Sequence, residues 1–507
     1  MSFNDLCHVS FGSIYALSNI SSPYYVCQAN QYNVKIFCAF MPLIYILFAV
    51  FTISSYFCSI IKYLYNQANQ GDIMVFNKEK ITDGIYLSVM PSEKFKAGVI
   101  AFSLTVPLTR CGSAYSNLLS GLLRRGTQKY PSMASLNRRL DELYGSYVEV
   151  KSHRIGDNLS ITIICEVLDN KYIPDGTDAL GGVIDIISDM LLNPTFLQED
   201  FDTTVFEQEK RVILDALNAE INNTRAYAIR RCTELMYEGN ESHPTVAQSK
   251  KIVENATIDD IKQHYYTLLS SAPLEIFYIG ATPTEQIKTS LLHSFSTHTF
   301  CTGSSIRPAL PVRRNSFSQG YEPMPVSQGK LAMSFSTGIC INAEDDSYYV
   351  ALMLNEIFGG SASSKLFCNV REKMSLCYYC SSSFSTYSGL MTVSSGIEVK
   401  NFELVRSAIL DQLDQIRRGN ITEQELAAAK KSIINAYRQL YDSPFDLQSF
   451  YSGRMIFSIS DTVDDCIRKL EAVTVDRIVD IAGKISLDAL FFVEGRGEEP
   501  DEEDENE

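Results

Sequence analysis

Cysteine is sparse in this chain: 13 in 507 residues, and an odd number. That density excludes a disulfide-built scaffold and fits reduced thiols in a cytoplasmic protein. A basic excess is also missing. Lys and Arg number 44 against 60 Asp and Glu, for a net charge of −16. A nucleic-acid binder needs a basic face to neutralise phosphates, so that class is excluded. No collagen-like, coiled-coil or low-complexity pattern runs through the main body. What remains is an ordinary globular composition, 45% hydrophobic and 21% charged. At about 100–200 residues per domain the length allows two to four domains, each able to bury a core.

Charge is nearly absent from the first 73 residues, which carry only Asp5, Lys35, Lys62 and Asp72. Residues 36–61, IFCAFMPLIYILFAVFTISSYFCSII, have none. About 20 apolar residues suffice to cross a bilayer, so this run is long enough for a transmembrane helix. The flanking Lys35 and Lys62 are balanced and set no orientation. Two readings stay open: a membrane anchor, or a start placed ahead of the true one, since Met74 opens a normally charged segment. A secretory signal fits poorly, because the run starts late and lacks a basic n-region and an A-x-A site. At the other end, 497–507 is an acidic tail, with eight acidic groups from Glu498 to Glu507. Such like-charge blocks are solvated tails.

Between these ends the same order of elements occurs twice. In the first half, 74–295, Ile85–Met90 and Gly98–Val106 read as strands, and Tyr115–Arg125 and Leu136–Tyr144 as helices. Tyr147–Lys151 and Asn158–Cys165 alternate as strands. Val183, Ile187 and Met190 recur at helical spacing before Asn193-Pro194 stops the helix. Helices follow to Tyr237, and Thr257 with Asp260 opens another. Pro273–Ile279 closes the half as a strand. In the second half, 329–496, Lys330–Ser336 is a strand, and Tyr348–Phe358 and Ser364–Lys373 are helical. Cys377–Phe384 and Gly389–Ile397 are strands. Val405, Ile409, Leu413 and Ile416 make a helical stripe. Thr422 and Glu425 form a capping box, and Leu490–Val493 is a last strand. Residues 296–328, rich in Ser, Pro, Gly and Thr, read as a linker. The expectation is α+β: two similar domains, each a mostly antiparallel sheet packed with helices.

Several motifs carry less than they suggest. Cys377 and Cys380 form C-x-x-C, but in a regular strand they point to opposite faces. Gly359–Lys365, GGSASSK, does not fit a phosphate loop. The six His (8, 153, 243, 264, 293 and 298) form no metal-spaced cluster. Glu207 and Glu209 read as a solvated or ion-paired helix face.

The order of elements from 74 to about 496 resembles the insulinase/pitrilysin-like metallopeptidases, the inverzincins. That resemblance implies two homologous α+β domains forming a clamshell. In the family, H-x-x-E-H on a helix precedes a Gly-Thr turn. Its two His bind zinc, its Glu is the general base, and a Glu on a later helix is the third ligand. Here the turn is Gly126-Thr127. The His positions fall on Asn117 and Gly121, and the base position on Ser120. In FEQEKRVILDALNAE the outer-shell Glu matches Glu209, but the third ligand falls on Ala216. No ligand and no base remains, so the chain is expected to bind no zinc and no other cofactor. The family's second-half Arg and Tyr, which grip substrate near the metal, match Arg371 and Tyr378 in REKMSLCYYCSSS. Both also admit a structural role, as a carbonyl cap and a strand tyrosine.

RRGTQKYPSMASLNRRLDELYG and LFCNVREKMSLCYYCSSSFSTYSGLMTVSSGIE further resemble the zinc-free YfmF-type branch. That branch is associated with 5-aminopentanol modification of elongation factor P. The resemblance implies a non-catalytic subunit beside a zinc-bearing sister of the YfmH type. Arg371 and Tyr378 would contribute to a shared site for a peptide or unfolded polypeptide. The alternative is a non-proteolytic peptide- or protein-binding scaffold, within elongation factor P modification. The expected location is cytoplasmic, with membrane attachment only if 36–61 is a real anchor.

Overall fold

A computed structural model describes residues 77–496, apart from 297 and 304. The apolar run 36–61 and the acidic tail lie outside the described residues. No helix among the described residues is long and apolar enough to cross a membrane.

The first half opens with β1 (Asn77–Thr82), β2 (Ile85–Pro91) and β3 (Ala97–Pro107). Then come α1 (Gly112–Leu123), α2 (Met133–Glu142), β4 (Tyr147–Ile155) and β5 (Asn158–Leu168). Helices α3 (Ala179–Leu192), α4 (Thr203–Ala219), α5 (Thr224–Met236), α6 (Val246–Asn255) and α7 (Ile258–Ser271) follow. Strand β6 (Leu274–Gly280) and α8 (Thr284–Ser294) end it. The second half has β7 (Ser318–Met324), β8 (Gly329–Ser336) and α9 (Ser347–Asn355). Helix α9 widens into a π-type turn at Glu356–Gly360, and another spans Leu366–Lys373. After β9 (Cys377–Phe384) and β10 (Leu390–Ile397) come α10 (Phe402–Arg417) and α11 (Glu423–Gln439). Helices α12 (Pro444–Ile456), α13 (Val463–Glu471) and α14 (Val475–Ala482) lead to β11 (Ser486–Gly495).

The sheets repeat one topology. The first runs β1-β2-β6-β3-β5-β4 and the second β7-β11-β8-β10-β9. In each, the last strand returns across its helices and slots in parallel to the first of the shared set, β6 beside β2 and β11 beside β7. All other pairs are antiparallel. The chain therefore holds two α+β domains built alike.

One boundary is corrected. The segment 296–328 is not linker throughout, because β7 lies inside it. SQGYEPM buries only Met324, so it shows no apolar alternation. It joins the sheet through main-chain pairing to β11, which composition does not reveal.

Alternation decides what each face meets. On β3, Phe102, Leu104 and Val106 enter the first core with Leu118, Leu122, Ile163 and Ile187. On β8, Leu331, Met333 and Phe335 enter the second with Val393, Ile409 and Leu490. Each such side chain, fully withdrawn from water, contributes about 1.5–3 kcal/mol before entropy is counted. The opposite faces are covered reciprocally. Helix α5 of the first half lays Ala228, Cys232 and Met236 against Ala332, Ala489 and Phe491 of the second sheet. Helix α12, its counterpart in chain order, lies over the first sheet, where Phe445 packs on Val99, Ala101 and Ile164.

Candidate functional site

In the first half, α1 inserts Leu118, Leu119, Leu122 and Leu123 into the core. That buried stripe turns Asn117 out to solvent. Ser120 is buried, and its hydroxyl donates to the Ser116 carbonyl one turn back, at 2.8 Å. Gly121 faces the Glu209 side chain so closely that an added Cβ would collide with the carboxylate. Glu209, buried on α4, is held there by Arg125, whose Nε donates to Oε1 at 2.5 Å. Ala216 lies two turns further along α4 and is exposed. An amide, a hydroxyl, a hydrogen and a methyl group thus stand at the four positions, and a Glu209–Arg125 ion pair fills the place beside Gly121. These residues do not fit a zinc ion, which takes imidazole, thiolate or carboxylate donors. Among the described residues no group of three His, Cys, Asp or Glu could hold a metal ion.

Two nearby features escaped the sequence reading. His264 on α7 meets the Ser116 hydroxyl through Nε2 at 2.8 Å, with Tyr115 edge-on at 5.9 Å. Burial pulls the imidazole down to about 4, so it is neutral at pH 7. A lone His on a helix gives no sign of this. Arg125 stood in the quoted RRGT motif, but its partner, 84 residues away, did not show.

In the second half, Arg371 contacts the main chain of Tyr378. Arg371 lies in the Leu366–Lys373 turn, with its guanidinium over the Phe367 ring at 4.5 Å. Its Nε donates to the Tyr378 carbonyl at 3.1 Å, and Glu372 lies 3.9 Å away. Both residues are partly accessible: the Arg371 side chain is 39% exposed and Tyr378 is 55% exposed. Ser375, at φ 52°, turns the chain between them. Arg225 on α5 crosses from the first half, donating to Ser381 Oγ at 2.9 Å and stacking over Tyr379 at 4.3 Å. No hydrogen bond or ion pair among the described residues joins Arg371 or Tyr378 to Asn117, Ser120, Gly121 or Ala216.

Strand β9 departs from its expected geometry. Gly396 pairs with Tyr379, but Ile397 pairs with Cys377, leaving Tyr378 as the extra residue of a bulge. The expectation that Cys377 and Cys380 point to opposite faces is therefore corrected. Ser395 and Ile397 share a face of β10, and they oppose Cys380 and Cys377 respectively. Both thiols consequently lie on that face.

The structure thus shows a duplicated α+β fold in which Asn117, Ser120, Gly121 and Ala216 offer no set of metal donors. Residues 255–433 match the family described as "Peptidase M16 inactive domain". The chain is 28% identical to the probable inactive metalloprotease YmfF of Bacillus subtilis (strain 168), over 81% of this chain and 96% of that one. Its fold is similar to that of a conserved protein from Enterococcus faecalis V583, with a TM-score of 0.77 and 26% identity. The similarity covers 84% of this chain and 99% of that one. The peptidase M16 inactive domain from Pseudomonas fluorescens shares the fold, with a TM-score of 0.67 at 14% identity, over 84% and 100% of the two chains. By these comparisons the chain is similar to peptidase M16 homologues of the inactive kind.

Proposed function

We propose that this chain is the metal-free subunit of a two-chain peptidase-like assembly. It contributes Arg371 and Tyr378 to a peptide site, and a zinc-bearing sister chain supplies the metal, the hydroxide and the general base. The observation that carries the reading is the contrast between the halves: the positions matching the metal ligands hold no donors and are plugged, while Arg371 is tied to the Tyr378 main chain and both side chains are partly exposed. A guanidinium and a phenol are donors suited to an oxyanion developing on a peptide carbonyl. They need not share a chain with the metal, provided the two chains hold them in register. The nine free thiols among the described residues fit assembly in a reducing compartment.

The test is reconstitution with the zinc-bearing homologue that co-purifies from the same cells. Peptide cleavage is expected from the pair and from neither chain alone. Arg371→Ala should lower turnover of the pair by about 10²–10³-fold, the loss typical of one oxyanion donor. Tyr378→Phe should lower it less, and circular dichroism of both variants should stay native. Wild-type turnover from both variants ends the shared-site reading. Stable pairing without cleavage of any peptide moves the chain to a binding scaffold.

A further inference from the structure

We propose that Cys377 and Cys380 form an oxidisable dithiol that closes to a disulfide across the Tyr378 bulge and so controls the Arg371–Tyr378 pair. The register carries the geometry. Because the bulge absorbs one residue, the two cysteines oppose residues only two apart on β10. Two strand residues span about 6.8 Å, at the upper edge of the roughly 4.4–6.8 Å Cα separation that disulfides bridge. Without the bulge the spacing would be about 10 Å and the faces opposite.

The surroundings distinguish the two thiols. Cys380 is buried against the second core, at 2% exposure. Cys377 is half-buried at the strand's start, packed on the rim of the same core. A hydrogen bond with Cys380, then Ser395 and the Arg371 charge, hold the Cys377 thiol below its ordinary range. The same contact and burial push Cys380 well above it. A half-buried thiol held below its ordinary range, beside a sheltered second thiol, is the arrangement of attacking and resolving cysteines. The Cys377 thiolate attacks one sulfur of a small-molecule disulfide and expels a thiolate. Cys380 then loses its proton and attacks the Cys377 sulfur, expelling the second thiolate. In balance, two protein thiols and one disulfide give one protein disulfide and two small-molecule thiols.

Tyr378 lies between the two cysteines, and its carbonyl anchors Arg371. Tightening the bulge displaces that carbonyl. This coupling rests on the peptide-site reading above, whereas the dithiol does not.

The test treats the full chain, reduced and then folded, with oxidised glutathione, alkylates remaining thiols and digests with trypsin. The peptide Met374–Lys400 contains both cysteines and no other. It is expected two hydrogens lighter and unalkylated. Cys380→Ser should stall as a glutathione adduct on Cys377, and Cys377→Ser should leave Cys380 free for alkylation after unfolding. Two alkylated thiols in the wild-type peptide, or a stalled adduct there, overturns the dithiol. In the reconstituted pair, oxidation should lower turnover at least tenfold, given what a 1 Å displacement costs. Reductant should restore it, and Cys377→Ser should be insensitive. A disulfide without that loss overturns the coupling alone. A reduced pair with no turnover at all ends the proposed function and leaves the dithiol standing.

Discussion

The helices α5 and α12 occupy corresponding places in the two halves, yet they meet their sheets differently. Helix α5 presents small and apolar side chains four apart, Ala228, Cys232 and Met236, and packs on Phe491 and its neighbours, with the Cys232 thiol donating to Ser334 Oγ at 3.3 Å. Helix α12 presents Phe445, Gln448, Ser449 and Ser452 to a face that carries Ser103, Thr105, Ser160 and Thr162. Those hydroxyls bond one another, at 2.9 Å for Ser103 with Thr162 and 3.0 Å for Thr105 with Ser160. A cavity of about 590 Å³ remains beneath the helix. A smaller cavity, about 310 Å³, adjoins α5 at Arg230, Thr233 and Glu234, so the same topology tolerates junctions of different openness. Backbone repetition fixes where a helix lies, and side chains decide how closely it packs.

The largest effect should come from breaking the more closely packed junction, at α5. Phe491→Ala removes a ring that is 2% exposed, and should cost about 3–5 kcal/mol. Phe445→Ala, at the rim of the cavity, should cost about 1–2 kcal/mol, because the site already adjoins open space. Urea midpoints at unchanged slope measure both. Equal losses would dissolve the contrast between the two junctions.

Acid should expose the next difference, in the vacated centre. The buried His264 has a folded pKa of about 4, below its ordinary 6.5. Between these values the unfolded state binds a proton that the folded state does not. Stability should therefore fall as pH drops from 6.5 towards 4, by up to about 3 kcal/mol, and this contribution should level off below 4. His264→Gln should flatten that window. A variant that keeps the same slope assigns the acid sensitivity elsewhere.

A smaller loss follows from restoring one metal position. Gly121→His drives a Cβ into the Glu209 carboxylate, and should cost about 1–3 kcal/mol of overpacking. Adding Glu209→Ala makes room, and should recover most of that loss although it also removes the ion pair. No recovery would mean that the plug is not what excludes the imidazole.

Most of the fold was legible because apolar side chains were spaced at two residues in β3, β5 and β10 and near 3.6 in α3 and α10. Strand β7 was not, since an edge strand that buries a single side chain, Met324, shows no apolar pattern. Nor was the reciprocal covering of the sheets by α5 and α12, which depends on long-range docking. At the site, loss of the metal donors could be read position by position from Asn117, Ser120, Gly121 and Ala216. The sequence of α4 is compatible with Glu209 on a solvated or ion-paired helix face; its burial and its partner Arg125 come only from the packing of α1 against α4. The Tyr378 bulge was hidden for a related reason. A bulge is set by the register of two strands, and one strand's residues do not declare it.

The finest contrast lies at the starts of α7 and α14, the last helix before the returning strand in each half. Thr257 caps α7 reciprocally: its hydroxyl accepts from the Asp260 N–H at 3.2 Å, and its own N–H donates to Asp260 Oδ2 at 2.9 Å. Thr474 sits at the matching place before α14 and makes no side-chain cap bond. Identical residues in equivalent places thus do different work. Thr257→Ala should cost about 1 kcal/mol, the usual loss of a cap, and Thr474→Ala less than about 0.5 kcal/mol. The difference is read in the urea midpoint, and also in faster amide exchange at Ile258 to Ile261 in the first variant only. Helix α7 anchors Ile261, Tyr265 and Leu268 in the first core, so its cap should be felt by the whole half. Equal effects at both threonines would mean that these helix starts draw their order from packing, and that the capping box adds nothing of its own.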